Sequence, residues 1–526
     1  MSFMTVEQVR AACPAPVWLA RPTDTQPSAV NLTALTIDSR AIEPGQVFLA
    51  LKGDRFDGHD FLTQAAGAGA ALLIIDRDLP AARLAELSAA AENSGRKGGL
   101  WVLRVQDTRK ALGRIAAAWR TLLGAGGAKV IAVCGSNGKT TTVRLIDAVL
   151  GATLSGVASE KSFNNDIGVP LTLLRARPGH QYIICEVGTN HPGEIAALGS
   201  LCSPDIAVIT SIGREHLEFL GDLAGVAREE AAILTALRPG GVGIVTADSP
   251  HLRDLLKPAP SVITFGQAPD ADLRLTDFSH TLIADQPAIR LSHNGHPQAF
   301  IVPLVGRHNA SNALAAIAVG RRFGLSDKVI AEGLLCCRPP EMRWQAHDLD
   351  GGLWVVNDAY NANPDSVLAS LGTFAEVFPA VMPASGCNGG STRRRVAVLA
   401  DMFELGSAAA AGHRDVGLTA ASVLTAAGDH LVFVGEQSGT GAQAAVAAGH
   451  QRVRHVPRWD AQATEALADE LLHLASSGPT VVLLKGSRRM GLEKLLNILT
   501  ARRPRVSAGG PVPSTRTPEA LRVHPV

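Results

Sequence analysis

The sequence predicts an α/β protein of three domains organised around parallel sheets, and three observations carry that reading. The chain has 526 residues, well beyond the roughly 250–300 at which a single hydrophobic core stops growing. Short, continuous apolar runs alternate with helical patterns along most of it, as in doubly wound sheets covered on both faces. One run, Val130–Cys134, stops at the glycine-bracketed turn Gly135-Ser-Asn-Gly-Lys-Thr140, and a helical pattern follows through Leu150. That is a strand, a phosphate-cradling loop and a helix start. Its backbone N–H groups face phosphate oxygens, the Lys neutralises charge and the Thr hydroxyl reaches Mg²⁺. Val133 stands where the longer G-x-x-x-x-G-K-[ST] pattern has Gly, so the loop is a short form. By itself the loop signals nucleotide use, with a chance glycine turn as the alternative, and does not say what the γ-phosphate is for.

In chain order, residues 1–106 form a first block with strand-like runs at Gln46–Leu51 and Ala71–Ile75. The Gly/Asp-rich turn Lys52–His59 lies between them, and 81–100 reads as a helix and a loop. Residues 107–337 form the central block. Its strands are Val130–Cys134, Tyr182–Val187, Ile206–Ser211, Val242–Thr246 and Ser261–Phe265, with a further strand at Gln298–Val305 before a helix from Asn309 to Phe323. Residues 338–503 form a second α/β block, with strands at Leu353–Asn357, Val396–Leu399, Leu431–Val434 and Thr480–Leu484. Within it, Pro383–Arg395 has the composition of a flexible surface insertion. The Pro-bearing tail 504–526 is expected to be disordered.

Composition narrows the function classes. Hydrophobic residues make up 46% and charged residues 18%, an ordinary globular balance. A net charge of +1, from 49 basic and 48 acidic residues, gives no general field for nucleic acid or an anionic membrane. Seven cysteines without a C-x-x-C pair argue against a disulfide framework or a zinc site and for a reducing compartment. There is no signal-peptide pattern and no apolar run of about 18 residues, so the expectation is a cytoplasmic protein without membrane insertion.

Magnesium-assisted phosphoryl transfer needs oxygen ligands at the carboxyl ends of neighbouring strands. Glu186 ends one predicted strand, and His216 lies in the loop after another. A solvated strand-end carboxylate and an ordinary loop histidine are the alternatives. In the next helical stretch the apolar stripe Leu223, Val226, Ala227, Ile233, Leu234, Leu237 has a gap filled by Glu230. A carboxylate on a buried face is expensive unless paired or metal-bound, so Glu230 is expected to face the site. Glu229, about 100° away on the helix, is expected in solvent. The polar loop Lys161–Pro170 suits a polar substrate, and Asn309 and Asn312 can pair with a base edge. The turns Asn357–Ser366 and Lys485–Arg488 favour a substrate-facing surface.

Together these motifs resemble the Mur ligases, ATP-dependent amide-bond-forming enzymes of peptidoglycan precursor synthesis. The resemblance covers nearly the whole chain except the tail and the 383–395 insertion. Its most discriminating string is Asp358-Ala-Tyr-Asn-Ala-Asn-Pro-Asp-Ser366, similar to the D-x-Y-N-A-N-P-x-S of the member that joins D-alanyl-D-alanine to UDP-N-acetylmuramoyl-tripeptide. Asn164–Pro170, Gly306–Asn309, Ala400–Gly406 with His413, and Lys485–Arg488 support it. The resemblance implies a uridine-nucleotide-binding N-terminal domain, a central P-loop ATPase domain and a Rossmann-like C-terminal domain.

It also implies ATP and Mg²⁺ as cofactors, those two small molecules as substrates, and a monomer. Gly135, Ser136, Asn137, Gly138, Lys139, Thr140 and Thr141 would hold the ATP phosphates. Thr140, Glu186, His216 and Glu230 would hold metal. Asn309 and Asp358 would contact the adenosine, and Arg343 the phosphates, although Met342 replaces the family's preceding Gly. Ser39, Arg40, Asn164, Asn165, Asp166, Tyr360, Asn361 and Asn363 would meet substrate, and Lys139, His216, Glu230 and Lys485 would act in catalysis. Glu230 stands where the family usually has a carbamylated Lys, and so would supply a carboxylate directly. Another amide ligase of the Mur or folylpolyglutamate type remains an alternative. So do a P-loop kinase or switch ATPase with a partner-binding C-terminal module, and a pseudo-enzyme in which Glu230 marks lost function.

Overall fold

The computed structural model describes residues 3–94, 99–257, 259, 261–283, 286–296, 298–349, 352–380 and 393–502. The insertion expected at 383–395 falls outside the described residues up to 392, as does the tail 504–526.

Three sheets organise the chain. The N-terminal sheet runs, edge to edge, Val17–Ala20, Trp101–Arg104, Leu72–Ile75, Val47–Leu49, Leu35–Thr36. Its first pair is antiparallel and the rest parallel. The middle strand, Leu-Leu-Ile-Ile, is buried along its whole length, as a strand covered on both faces must be. Helix Thr108–Ala125 joins this block to the next. Its Trp119 packs edge-on against Phe3 with ring centroids 4.7 Å apart, and one apolar core runs continuously through both blocks.

The central sheet has nine strands. Gly156–Ala158, Tyr182–Glu186, Lys129–Cys134, Ile206–Ile209, Val242–Thr246 and Val262–Gly266 lie parallel in that order. The sheet then continues through two strands that the sequence does not announce and one, Phe300–Val302, that falls within the predicted Gln298–Val305. Leu273–Ile283 and Gln286–His293 pair antiparallel, with Phe300–Val302 outside them. This extension has mixed burial along its strands, so it lacks the continuous apolar run that announces a buried parallel strand. The stripe from Leu223 to Leu237 is also not one helix. An α-helix covers Leu223–Ala231 and tightens into a 3₁₀ segment, Ala232–Ala236.

The C-terminal sheet runs Gln345–Asp348, Leu353–Asn357, Thr480–Lys485, Arg394–Ala400, His430–Val434, Val453–Val456. All its pairs except the first are parallel, and separate apolar clusters cover its two faces.

Both large sheets reverse their winding in the middle. From Lys129–Cys134 the chain goes to Tyr182–Glu186 on one side and Ile206–Ile209 on the other. In the C-terminal sheet, Thr480–Lys485 slots between Leu353–Asn357 and Arg394–Ala400. Crevices at the carboxyl ends of such strands are where open α/β sheets take ligands.

Candidate active site

The two crevices face each other. The first contributes Gly135–Thr141. Gly138 precedes helix Lys139–Gly151 at φ 87°, and Gly135 sits at φ 117°, both in the left-handed region that favours glycine. A Cβ at Gly135 would stand 2.3 Å from Thr210 Oγ1, and one at Gly138 2.4 Å from Asn312 Oδ1. The short loop thus packs too closely on its neighbours for any side chain at these two positions. Ser211 and Thr210 clamp it further: Ser211 Oγ accepts from the Asn137 N–H at 2.8 Å, and Thr210 Oγ1 donates to Asn137 O at 2.6 Å.

Lys139 folds back over the loop. Its Nζ donates to the Gly135 carbonyl and, at 3.2 Å, to the Ser136 carbonyl. Burial works against its charge, but the carboxylates of Glu215, Glu230 and Glu186 outweigh burial and hold its pKa above the ordinary value. Glu215 lies 3.7 Å from Nζ. Burial pushes Glu215 up to about 8, Lys139 partly offsets this, and Glu230 adds to it. Glu215 went unremarked in the sequence because nothing in a loop glutamate says that it will be buried.

Glu230 is fully buried. Its Oε2 accepts from the Gly135 N–H at 2.8 Å, and its Oε1 is buried without a hydrogen-bond partner. It therefore stands behind the phosphate loop and holds it. Glu229 is not in solvent as expected. It is 8% exposed, and its carboxylate accepts from the N–H groups of Gly193 (2.7 Å) and Ile195 (2.8 Å). That caps the start of helix Glu194–Cys202, satisfying donors that have no partner within the helix. A helical wheel gives the direction of Glu229 but not the helix end waiting there.

Glu186 closes its strand, with Oε1 accepting from Asn164 Nδ2 at 3.2 Å and Oε2 buried without a partner. Burial raises its pKa, against the pull of Lys139 and Arg343. A buried, bare carboxylate oxygen close to a threonine hydroxyl suits a hard divalent cation. Among the described residues no three His, Cys, Asp or Glu side chains group to hold a metal, so phosphate oxygens would have to complete the shell. His216, at φ 48°, has Nδ1 2.7 Å from Glu404 Oε2, at ion-pair distance but without hydrogen-bond alignment.

The opposing crevice comes from the C-terminal block. Arg343 lies over the Tyr360 ring, 4.6 Å from its centroid, and its Nη2 reaches Thr140 Oγ1 at 3.4 Å. Asn363 caps helix Pro364–Val377 and donates from Nδ2 to Asn137 Oδ1 at 2.9 Å. Arg214 crosses between blocks to Asp365 and Asp415 at 2.8 and 2.6 Å. Asp358 pairs with buried Lys485 at 2.9 Å, and Lys485 also donates to Asn361 O at 3.0 Å.

Two clefts open between these walls. One, of about 870 Å³, is bordered by Asn137, Gly138, Thr141, Asn309, Asp358 and Lys485. Asn309 and Asn312 are linked to each other at 3.0 Å, and Asn309 Nδ2 donates to Val305 O. The second, of about 730 Å³, is bordered by Lys139, Asn164, Glu186, His216, Tyr360 and Asn361 among others. Asn165 and Asp166 also border it, although Asn165 caps helix Gly168–Arg175 through its Oδ1 and Asp166 pairs with Arg109 at 2.6 Å. The loop Gly135–Lys139 separates the clefts, so a nucleotide in the first can point its terminal phosphate into the second. Ser39 and Arg40 border neither cleft. Arg40 pairs with Asp38 at 2.8 Å in the N-terminal block, and Ser39 Oγ contacts Gln64.

Three family models match the chain: the Mur ligase family catalytic domain over residues 31–120, the Mur ligase middle domain over 133–320, and the Mur ligase glutamate ligase domain over 342–488. A UDP-N-acetylmuramoyl-tripeptide–D-alanyl-D-alanine ligase from Bacillus subtilis (strain 168) is 36% identical over 380 residues, covering 72% of this chain and 76% of that protein. The protein of the same name from Escherichia coli (strain K12) is 33% identical over 478 residues, covering 90% and 95%. A crystal structure of MurF from Acinetobacter baumannii superimposes with a TM-score of 0.76 at 28% identity, covering 95% of this chain and 99% of that one.

Proposed function

Since this chain belongs to the Mur ligase family, whose members are ATP-dependent amide-bond-forming ligases, we propose that it joins D-alanyl-D-alanine to the terminal carboxylate of UDP-N-acetylmuramoyl-tripeptide in peptidoglycan precursor synthesis. The observation that carries this reading is the pair of clefts meeting at one phosphate loop, with the Tyr360–Asn363 turn across from it. ATP occupies the first cleft, and the peptide carboxylate and the incoming amine share the second.

The carboxylate oxygen attacks the γ-phosphorus as the bond to the ADP oxygen breaks, giving an acyl phosphate. The dipeptide amine then attacks the acyl carbon and loses a proton, and phosphate leaves the tetrahedral intermediate. Two anions must meet in the first step, so electrostatic stabilisation dominates. Lys139, kept charged by its carboxylate neighbours, neutralises phosphate oxygens, and the N–H groups of Gly135–Thr141 orient them. Thr140 and Glu186 would hold Mg²⁺, with His216 as a further donor, and Glu230 would act from behind the loop through the Gly135 N–H. The ion would offset phosphate charge. Asn309 and Asp358 hold the adenosine, Arg343 reaches the phosphates, and Lys485 anchors Asp358 and the Asn361 carbonyl beside them. Asn164, Asn165 and Asp166 receive the nucleotide-linked peptide, with Ser39 and Arg40 contributing from the N-terminal block. Tyr360, Asn361 and Asn363 border the amine side. The enzyme works as a monomer.

The test is ADP release from ATP with each substrate omitted in turn. Release that requires both UDP-N-acetylmuramoyl-tripeptide and D-alanyl-D-alanine is expected. Release with either alone at the full rate would favour a kinase or switch ATPase and refute the ligase reading.

A further inference from the structure

The second cleft has five cationic side chains on its border, and four have partners. Arg109 pairs with Asp166 at 2.6 Å, and Lys139 faces Glu215 and two loop carbonyls. Arg343 spans Tyr360 and Thr140, and Arg488 lies 3.7 Å from Glu493. The fifth, Arg489, is exposed and has no carboxylate or hydrogen-bond partner among the described residues. Its guanidinium lies over the Phe403 ring, 4.9 Å from the centroid. That platform is itself fixed, because the Phe403 N–H donates to buried Ser487 Oγ at 3.1 Å. Stacking holds the guanidinium plane while leaving its edge of N–H donors open. An oriented Arg fork open to a cleft matches a carboxylate, which it binds through two parallel hydrogen bonds.

Of the two substrates, only one fits that position. The wall formed by Arg109, Asn164 and Asp166 belongs to the central block, whose core is continuous with the N-terminal block. That side suits the nucleotide-linked peptide. Arg489 lies on the opposite wall, in the 3₁₀ turn Arg488–Met490 just after strand Thr480–Lys485. The incoming dipeptide carries two charged groups. Its amine is consumed in the reaction, so its terminal carboxylate is the group left to be recognised. Two extended residues span at most about 7 Å, which keeps that carboxylate in the cleft where the amine reacts. We propose that Arg489, stacked on Phe403, binds the terminal carboxylate of the incoming dipeptide and so selects a free acid at that end. This rests on the ligase reading above.

The experiment compares D-alanyl-D-alanine with its C-terminal amide as amine substrates. Wild type is expected to favour the acid by on the order of 10- to 100-fold in kcat/KM, the range of charge-assisted hydrogen bonds. Arg489→Gln should raise KM for the acid to the level of the amide, leave KM for the amide within about threefold, and leave KM for ATP and for the UDP-linked peptide unchanged. Arg489→Lys should recover part of the preference. An undiminished preference in Arg489→Gln would overturn the proposal. So would an equal loss with acid and amide, which marks a structural role, or loss of the preference in Arg488→Gln instead. Wild-type ADP release that does not depend on any dipeptide is a different failure, and removes the ligase reading itself.

Discussion

Glu230 shows how one residue is chosen by its surroundings. A fully buried carboxylate is costly to ionise, and here one oxygen is bound by the Gly135 N–H while Lys139 supplies opposite charge nearby. Burial still raises its pKa, with Lys139, Cys134 and the Gly135 N–H acting the other way. The gap in the apolar stripe was enough to mark Glu230 as buried, and the structure sets it behind the phosphate loop, bordering neither cleft. The gap did not reveal that the carboxylate binds the loop backbone, because that contact is made 95 residues away in sequence. Glu229 and Glu215 were missed for the same reason: each is buried by a partner that local pattern does not name. If Glu230 supplies its carboxylate unaided, turnover should not change when bicarbonate and CO₂ are stripped from the assay. Glu230→Ala should lower kcat by about 100-fold, since a loop displaced by about 1 Å is enough for that, and added bicarbonate should not rescue it. Wild-type turnover that needs bicarbonate, or full activity in Glu230→Ala, would sink this role.

At the scale of elements, the long central parallel strands were legible, whereas the short parallel strands Gly156–Ala158 and Val453–Val456 and the pair Leu273–Ile283 and Gln286–His293 were not. Val242–Thr246 and Leu353–Asn357 are bounded as their apolar runs predict. Leu273–Ile283 alternates buried and exposed positions irregularly and pairs with a neighbour that pattern alone could not supply. The turn Asp401–Gly406 is held in part by a buried histidine. His413 is 2% exposed, its Nδ1 lies 2.8 Å from the Ala409 carbonyl and its Nε2 accepts from the Met402 N–H at 3.1 Å. Only the neutral ring can donate at one nitrogen and accept at the other, and burial lowers its pKa despite the Ala409 carbonyl and Asp401. A lowered histidine contributes stability that is present above its ordinary value of about 6.5 and lost as pH falls toward the folded value. Wild type should therefore lose Tm between pH 7 and pH 5 more steeply than His413→Gln, which has no group there to titrate. Parallel Tm profiles would contradict the neutral, doubly bonded ring.

At the scale of the molecule, the site exists because two winding reversals face each other. The central sheet brings the phosphate loop, Glu186 and His216 to its crevice, and the C-terminal sheet brings Asp358, Tyr360 and Lys485 to its own. Arg214, Asn363 and Arg343 tie the two together across the blocks. The sequence made both loops visible as polar turns after apolar strands. The relation between them is long-range and depends on how the blocks pack, so no local pattern could contain it. We propose that this arrangement presents a γ-phosphate to a peptide carboxylate. This is tested most directly by labelling the terminal carboxylate of UDP-N-acetylmuramoyl-tripeptide with ¹⁸O and following the label during turnover with ATP and D-alanyl-D-alanine. One ¹⁸O is expected in each phosphate released, carried over through the acyl phosphate. Phosphate without label, formed alongside ADP and the new amide, would contradict it.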